Sequence, residues 1–549
     1  MGVSFGSSGT RVYDLPANYS ARVDSIFLNI RDAFEGSRIN SKVEKYIFRL
    51  GNSFHKKTQK NTIMRLILFA KEDTVTSTLL IESEKNLRKV NFLADAKIYV
   101  QNTQNGINVH ITTYDHWSTS PGVGFKRLGE ELTYWFGLRE SNLFGTGQTI
   151  SLAFHKDLLR TNNHLEYKNP VFTKHKLQYA MQYDIFSDGH SFKMNFNKPL
   201  RAKSDRLGFL LQLHSEKSSK WYYFDANQFE LMDQNIIPDG AVIGRMNPMI
   251  EFQDINTNKY YGELTQSFGV ETKLNISYFT FYYERHQNGS PNIIEGFEEY
   301  LQQEPTSISD IQDRLLGIKV TMYRKKYGTV HNLSNFKWTE DFDRIWLLSF
   351  QLGKNMKFLG ADNNYTFISP RMVFTNQVNE KHFFNGSIAT SFFISSLGEK
   401  IRGQFDADLK YQVKPFSSAS GFVGIQLKHL FGEHSSKQLL LGDSFDLYGY
   451  PNQYYAGQAR VKIHAETRFI PDIDFMTLAP AVVFYYVGGN IFPAYRNVDL
   501  SQLHSSVGIG LRLGLTRSVN MIVNHINLSW PLDENLPGPV LSIQSKTSL

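Results

Sequence analysis

Ile401-Arg402-Gly403-Gln404-Phe405-Asp406-Ala407-Asp408-Leu409-Lys410-Tyr411-Gln412-Val413 is the stretch that decides the fold. Ile401, Gly403, Phe405, Ala407, Leu409, Tyr411 and Val413 alternate with Arg402, Gln404, Asp406, Asp408, Lys410 and Gln412. A period of two places successive side chains on opposite faces of a strand. One face here is apolar or small throughout, and the other is densely charged. The segment outruns the usual globular strand of about 5–6 residues. It is long enough for the roughly 9–11 residues with which a tilted strand crosses a bilayer. Lipid on one face and a water-filled lumen on the other is the environment that rewards this pattern.

The same texture recurs elsewhere. Val461, Ile463, Ala465, Thr467 and Phe469 alternate with Arg460, Lys462, His464, Glu466 and Arg468. Val507, Ile509, Leu511, Leu513 and Leu515 alternate with small residues and Arg512, and Ile318, Val320 and Met322 interleave with Lys319, Thr321 and Tyr323. From about Pro121 to the C-terminus this pattern replaces helical periodicity. Lipid tolerates no open sheet edge, so the sheet must close on itself. Residues 118–549 number 432, and at 27 residues per strand and loop they predict a sixteen-stranded transmembrane β-barrel. Tyr222-Tyr223-Phe224, Tyr282-Tyr283 and Phe484-Tyr485-Tyr486 are expected in the interfacial aromatic girdles.

Composition narrows the remaining classes. The 549 residues contain no cysteine, which removes disulfide scaffolds, thiolate metal sites and cysteine nucleophiles. Aromatic residues make up 14% and charged residues 20%, so the chain can bury enough surface to fold. Mean hydropathy is −0.34, and the apolar runs fall short of a spanning helix. The net charge of +7 carries no run of five like charges, a solvated surface rather than a nucleic-acid patch. The first twenty residues have neither a basic n-region nor an apolar h-region, which fits a protein retained where it is made or one whose leader has been removed.

Residues 1–20 read as a flexible lead and residues 21–117 as a small α+β domain. Arg22–Ile30 suits a strand. A helix is expected from a threonine cap at Thr58 to Phe69, with Ile63, Leu66 and Ile67 on one face. A second helix is expected over Thr76–Arg88, with Leu79, Leu80, Ser83, Asn86 and Leu87 inward. Strands Ala94–Asn102 and Gly106–Tyr114 follow, joined by a turn at Asn105-Gly106. The order β-α-α-β-β predicts a three-stranded sheet with both helices on one face.

These residues carry a family resemblance. Gly51-Asn52-Ser53-Phe54-His55, Thr58, Ile63–Phe69, Glu82–Arg88, Phe92–Ala96 and Thr113-Tyr114-Asp115-His116-Trp117 are similar to the POTRA domain of the BamA/TamA superfamily of outer-membrane assembly and secretion barrels. Gly137-Leu138-Arg139-Glu140-Ser141-Asn142-Leu143-Phe144-Gly145-Thr146-Gly147 resembles the superfamily's first-barrel-strand motif. The family's arginine-bearing loop that folds back into the barrel matches Leu447-Tyr448-Gly449-Tyr450-Pro451, with Tyr448 where the arginine would stand. Its aspartate partner matches Tyr486 in Phe484-Tyr485-Tyr486-Val487-Gly488. Removing one member of a buried ion pair costs about 3–5 kcal/mol, so joint replacement by two tyrosines that stack or hydrogen-bond is physically coherent; the alternatives are a match one residue out or a loop no longer anchored.

The resemblance implies a bacterial outer-membrane protein with its POTRA domain in the periplasm. It also implies contact with the lipid bilayer and with unfolded or exported protein clients, and it leaves room for periplasmic or outer-membrane complex subunits. No cofactor, metal or nucleic acid is expected. Three activities stay open: an assembly factor with a lateral seam between its first and last strands, a secretion channel for one partner, and an inactive scaffold. A soluble β-protein is the fourth reading. The first strand is expected near residues 130–140 and the last near 540–549. The face Leu541, Ile543, Ser545, Thr547, Leu549 is poorly apolar toward its end, so a weak seam is expected. Arg460, Lys462, His464, Glu466 and Arg468 are expected to form solvated channel wall. Gly2-Val3-Ser4-Phe5-Gly6 spells a nucleophile elbow without its strand and helix, and Gly145-Thr146-Gly147 lacks the lysine of a phosphate loop. Sixteen histidines show no metal-ligand spacing. No enzyme is expected.

Overall fold

The computed structural model describes residues 9–32, 56–128, 131–173, 176–227, 248–297, 308–326, 328–331, 333, 339–395, 400–432, 437–471, 473, 478–493, 497–515, 523–536 and 538–546. Gly51–His55 and the elbow pattern at Gly2–Gly6 lie outside these residues.

The N-terminal unit holds β1 (Thr10–Arg11), β2 (Ser20–Arg31), α1 (Lys60–Leu66), β3 (Thr74–Thr76), α2 (Ser77–Arg88), β4 (Leu93–Asn102) and β5 (Ile107–Asp115). The sheet order is β1-β4-β5-β2-β3, with β2 parallel to β5 and the other pairs antiparallel. The expected three strands are its centre, and two short segments extend it. Residues 9–20 are therefore not wholly a flexible lead. Arg11 pairs with Tyr99 in the sheet, and its guanidinium meets both oxygens of the fully buried Glu84 at 2.8 and 2.9 Å. Val12 is buried in the core with Val23, Ile63, Leu80, Leu87, Ile98 and Val109. A buried carboxylate needs such partners, and Arg88 on the next turn of α2 supplies another.

The second helix starts one residue later than expected, with Thr76 as its cap, accepting the Leu79 N–H at 3.3 Å. Thr58 does not cap α1. The Thr58 N–H donates to the Asp115 carboxylate at 2.8 Å, and its hydroxyl accepts from the Asn142 side-chain amide at 2.9 Å. Gln59 stands at the cap position without a side-chain bond to the helix, its amide donating instead to the Phe144 carbonyl at 3.0 Å, and the helix ends at Leu66 because Ile67 turns extended.

Twenty antiparallel strands close into one barrel, four more than the sequence predicts. They begin at Thr119–Leu128 and end at Val540–Lys546. The extra strands come from compact hairpins: Gln148–Lys156, Thr161–Asn169, Gln178–Phe186 and Gly189–Lys198 fit four crossings into residues 148–198. An allowance of 27 residues per strand is too generous there. The turns facing the small domain (the near rim) are mostly short. The far rim carries long connections after Tyr223, Gln287 and Phe431. Outward residues such as Phe136, Leu152, Leu264, Ile318, Phe350 and Leu409 are exposed, an apolar belt that water alone would not support. No described helix is long and apolar enough to cross a membrane.

The domain is seated on the near rim by the second barrel strand, Glu131–Leu143, and the turn that follows it. Gly145, at φ +76°, accepts the Gln59 N–H at 2.8 Å and the Thr62 hydroxyl at 3.1 Å. A Cβ at Gly145 would stand 2.3 Å from the Lys57 carbonyl oxygen. Asn142 holds Thr58 with its amide and accepts the Gly147 N–H at 2.8 Å. Val171, from the next near-rim turn, is part of the domain's own core.

Candidate functional site: the in-folded loop and the strand junction

The motif Gly137–Gly147 lies on the second barrel strand and its turn, not on the first strand. Thr119–Leu128 precedes it and pairs with it over ten residue pairs. Pro121, Gly122 and Gly124 hide that strand in the sequence, because proline and glycine are depleted in strand interiors. Proline is at home in edge strands, and this strand borders the barrel's least-paired junction. The Trp135 indole lies flat over Gly122 and Gly124, where a Cβ would fall within 2.6 and 2.1 Å of it.

The last strand meets the first over three register pairs among the described residues: Ser542 with Lys126, Ile543 with Phe125, and Gln544 with Gly124. This junction puts the first-strand side at Gly124–Lys126 rather than near residues 130–140, and the end of the Leu541–Leu549 face from which a weak seam is expected lies outside the described residues.

The connection between the fifteenth strand, Ala419–Phe431, and the sixteenth, Ala459–Phe469, folds into the lumen. Leu447, Tyr448 and Tyr450 are buried there among Leu441, Tyr455, Tyr485 and Val487. Gly449, at φ +88°, makes the tight turn, and its N–H donates to Asp443 at 3.1 Å. The Ser506 hydroxyl donates to the Tyr448 carbonyl at 2.7 Å, and the Tyr450 hydroxyl donates to the Ser505 carbonyl at 2.9 Å.

Tyr448 meets a tyrosine of the wall, but not the one the sequence selects. Its ring packs edge-on against Tyr485, centroids 5.3 Å apart, and against His464 at 5.9 Å. Tyr485 is 5% exposed and faces inward, whereas Tyr486 is 37% exposed on the outer face. Adjacent strand residues point to opposite faces, so a one-residue slip in matching exchanges lumen for lipid. The Tyr485 hydroxyl hydrogen-bonds with Ser529 at 2.7 Å, and its ring lies over Gly508, where a Cβ would come within 2.2 Å. The Tyr486 hydroxyl instead meets the Ser505 hydroxyl at 2.8 Å. The girdle expectation is corrected in the same region, since Tyr485 and Phe224 are buried while Phe484 does face outward.

The charged wall at residues 460–468 is a docking surface rather than bare channel lining. Lys462 pairs with Asp446 of the loop at 3.0 Å, and Arg460 donates to the Leu440 carbonyl at 2.9 Å. Glu466 sits between Arg468 at 2.5 Å and Arg512 at 3.4 Å, and Arg512 also donates to Asn527 at 2.6 Å. The loop carries no arginine, yet the wall beside it holds Arg460, Arg468 and Arg512. Sequence reasoning does not single out Lys126, Asp443, Tyr485 or Arg512 as members of this site. Only strand parity marks wall positions as lumen residues, and parity does not name partners distant in sequence.

At the far rim the loop is tied to three other segments. The Asp225 carboxylate accepts the Ala456 N–H at 3.2 Å, and the Tyr454 carbonyl accepts the Ala226 N–H at 3.2 Å. His504 lies between Asp533 at 2.7 Å and Asn227 at 2.9 Å, with the Tyr455 ring stacked 4.2 Å above it. Burial pushes the Asp225 carboxyl up to about 6, against the pull of its backbone donors from Ala456 and Asn227. Burial also opposes ionisation of Asp533, but hydrogen bonding to His504 outweighs it with further help from Tyr455 and Tyr450, and its pKa is lowered.

Away from the loop the lumen opens into a chamber of about 860 Å³ walled by the sixth to fourteenth strands. Hydroxyls recur along its wall. Thr265 and Ser277 lie 2.9 Å apart, and Thr321 and Ser349 lie 3.0 Å apart.

No family model and no curated protein matches the chain. Among solved structures, BamA from Haemophilus ducreyi lacking POTRA domains 1-3 aligns over 96% of this chain and 84% of its own, at 13% identity and a TM-score of 0.32. CdiB from Acinetobacter baumannii aligns over 95% and 73%, at 10% identity and a TM-score of 0.44. CdiB from Escherichia coli aligns over 98% and 94%, at 9% identity and a TM-score of 0.42. The likeness is one of barrel architecture at low superposition.

Proposed function

We propose that this chain is a bacterial outer-membrane barrel that assembles or translocates other proteins, with its small domain a POTRA unit in the periplasm. The observation that carries the reading is the three-pair junction between first and last strands in a barrel otherwise closed by long ladders. In lipid, unpaired backbone costs several kcal/mol per group, so a short junction is an edge that a client strand can complete. The long far-rim connections and short near-rim turns fit an orientation with the small domain on the periplasmic side. Strand addition to the domain's sheet remains part of the reading, with one adjustment. Thr10 and Arg11 already occupy the β4 edge at Val100 and Tyr99, so a client would extend that ladder or displace them. The role assigned is binding and guidance of polypeptide, not catalysis.

The test is to seal the junction. Phe125 and Ile543 are cross-strand partners on its outer face, and the chain has no native cysteine to interfere. The Phe125→Cys/Ile543→Cys disulfide should abolish insertion of a reporter barrel into outer-membrane-lipid vesicles, and reduction should restore it. Insertion that continues through the sealed form would count against a lateral gate.

A second reading, a secretion channel for one partner protein, draws on the polar chamber of about 860 Å³. It predicts that the sealed barrel keeps exporting its partner, so one disulfide separates the two.

A further inference from the structure

The in-folded loop does more than occupy the lumen, because its contacts straddle the junction. On one side it is bound to the sixteenth, seventeenth and eighteenth strands through Lys462, Tyr485 and Ser506. Its turn then crosses the nineteenth strand, where Gly449 packs so closely on Ser529 and Pro531 that a Cβ would stand 3.1–3.2 Å from them. On the other side it reaches the first strand at one buried residue, Lys126. The Lys126 ammonium donates to the Tyr450 carbonyl at 3.0 Å and lies 3.4 Å from the Asp443 carboxylate. Lys126 is also the residue in register with Ser542 across the three-pair junction.

We infer that Lys126, Asp443 and the Tyr450 carbonyl form a bolt, by which the loop holds the first strand against the C-terminal strands from inside the lumen. The inference rests on the seam reading above and names what regulates it. Three backbone rungs are a weak closure, since a net hydrogen bond adds little stability. A buried ion pair that also satisfies a carbonyl is hard to leave half-made, because removing either partner strands a charge in a site of low polarity. Opening therefore requires the first strand and the loop to part together, or Lys126 to exchange its partners. A cavity of about 250 Å³ bounded by Lys126, Trp135, His155, Asp443 and Ser444 lies directly beside the pair and gives the ammonium room to swing. The loop is thereby coupled to the seam: whatever displaces Tyr448 or Tyr450 from the wall loosens the first strand as well. A purely structural ion pair would lack this coupling, and its loss would disorder the loop while leaving the junction width unchanged.

Spin labels at Leu132 on the second strand and Leu541 on the last, both on the outer face and bracketing the first strand and its junction, read the junction width directly in the full chain. The parent should give one short distance population. Lys126→Met and Asp443→Asn should each raise the population of a second, longer distance by about tenfold, since each removes one partner of a buried pair. The charge exchange Lys126→Asp with Asp443→Lys should return the short distance. Unchanged distances in both single variants overturn the bolt, as does an exchanged pair that folds and stays wide. If Lys126→Met fails to fold, Asp443→Asn and the exchanged pair carry the test. Failure of the bolt and failure of the function separate cleanly. Widening by Lys126→Met together with full activity of the disulfide-sealed barrel leaves the bolt standing and removes the lateral gate.

Discussion

Between the seventh barrel strand, Leu207–Tyr223, and the eighth, Pro248–Phe268, sixteen residue pairs lie in register, with bulges only toward the far rim. Between the twentieth strand and the first there are three among the described residues. The two walls face the same solvent and are held by different physics. The first is a backbone ladder, continuous and indifferent to side-chain identity. The second is thin in backbone pairing and is backed by side chains of a loop: Tyr448 on Tyr485, Lys462 on Asp446, Lys126 on Asp443. A ladder resists gradual loss, because each rung is worth only about 0.5–1.5 kcal/mol and neighbours remain. A docked wall can be undone at a few points.

The largest effect should come from the ion cluster behind the docked wall. Glu466→Ala leaves Arg468 and Arg512 buried without their shared carboxylate, at a cost of about 3–5 kcal/mol in urea unfolding from vesicles. Ser349→Ala, on the equally continuous ladder of the tenth and eleventh strands, removes one hydroxyl contact with Thr321 and should cost about 1 kcal/mol. Equal costs would break the comparison. Of similar size, Tyr485→Ala should destabilise by about 3–5 kcal/mol through the cavity it leaves under the loop. Tyr486→Ala, on the outer face, should cost about 1 kcal/mol. A reversal would restore Tyr486 as the docking partner.

The smallest effect sharpens the far-rim end of the same region. The Asp225 carboxyl is raised from 3.8 to about 6, so the folded far rim binds its proton more tightly than the unfolded chain does. Its contribution to stability is therefore fully present below about pH 4 and is lost as pH rises through about 6. Asp533, with its pKa lowered, works the other way and weakens the far-rim contacts only at acid pH below the ordinary carboxylate range. Spontaneous opening events in single-channel recordings should be rarer near pH ~5 than near pH ~7.5, on either side of that raised value, and Asp225→Asn should flatten the difference. A pH dependence that survives Asp225→Asn would assign it to other groups.

Residues 401–413 and 460–468 are legible as strands because their alternation is strict, and α2 is legible because Leu79, Leu80, Ser83, Asn86 and Leu87 recur on one helical face. The first strand is not, since Pro121, Gly122 and Gly124 read as a linker until the Trp135 ring and the edge position explain them. The loop tip is found by its residues, yet its partner is missed by one position. A strand read one residue out is read on the wrong face, and nothing local in Phe484-Tyr485-Tyr486 says which tyrosine looks inward. Lys126 and Asp443 are invisible for a different reason. Each is an ordinary charge until closure brings together positions more than 300 residues apart.

The three-pair junction also fixes an order of events. Among the twenty strands every other pairing joins neighbours in the chain, so each can form by local hairpin growth at modest loop-closure entropy. Joining Lys126 to Ser542 must wait for the last strand and carries the largest sequence separation in the barrel. Asp443 and Tyr450 lie well ahead of that strand, so the loop can capture Lys126 while the barrel is still an open sheet. The lumen-side contact then acts as a timing device, holding the two margins near each other until the final strand arrives to close between them.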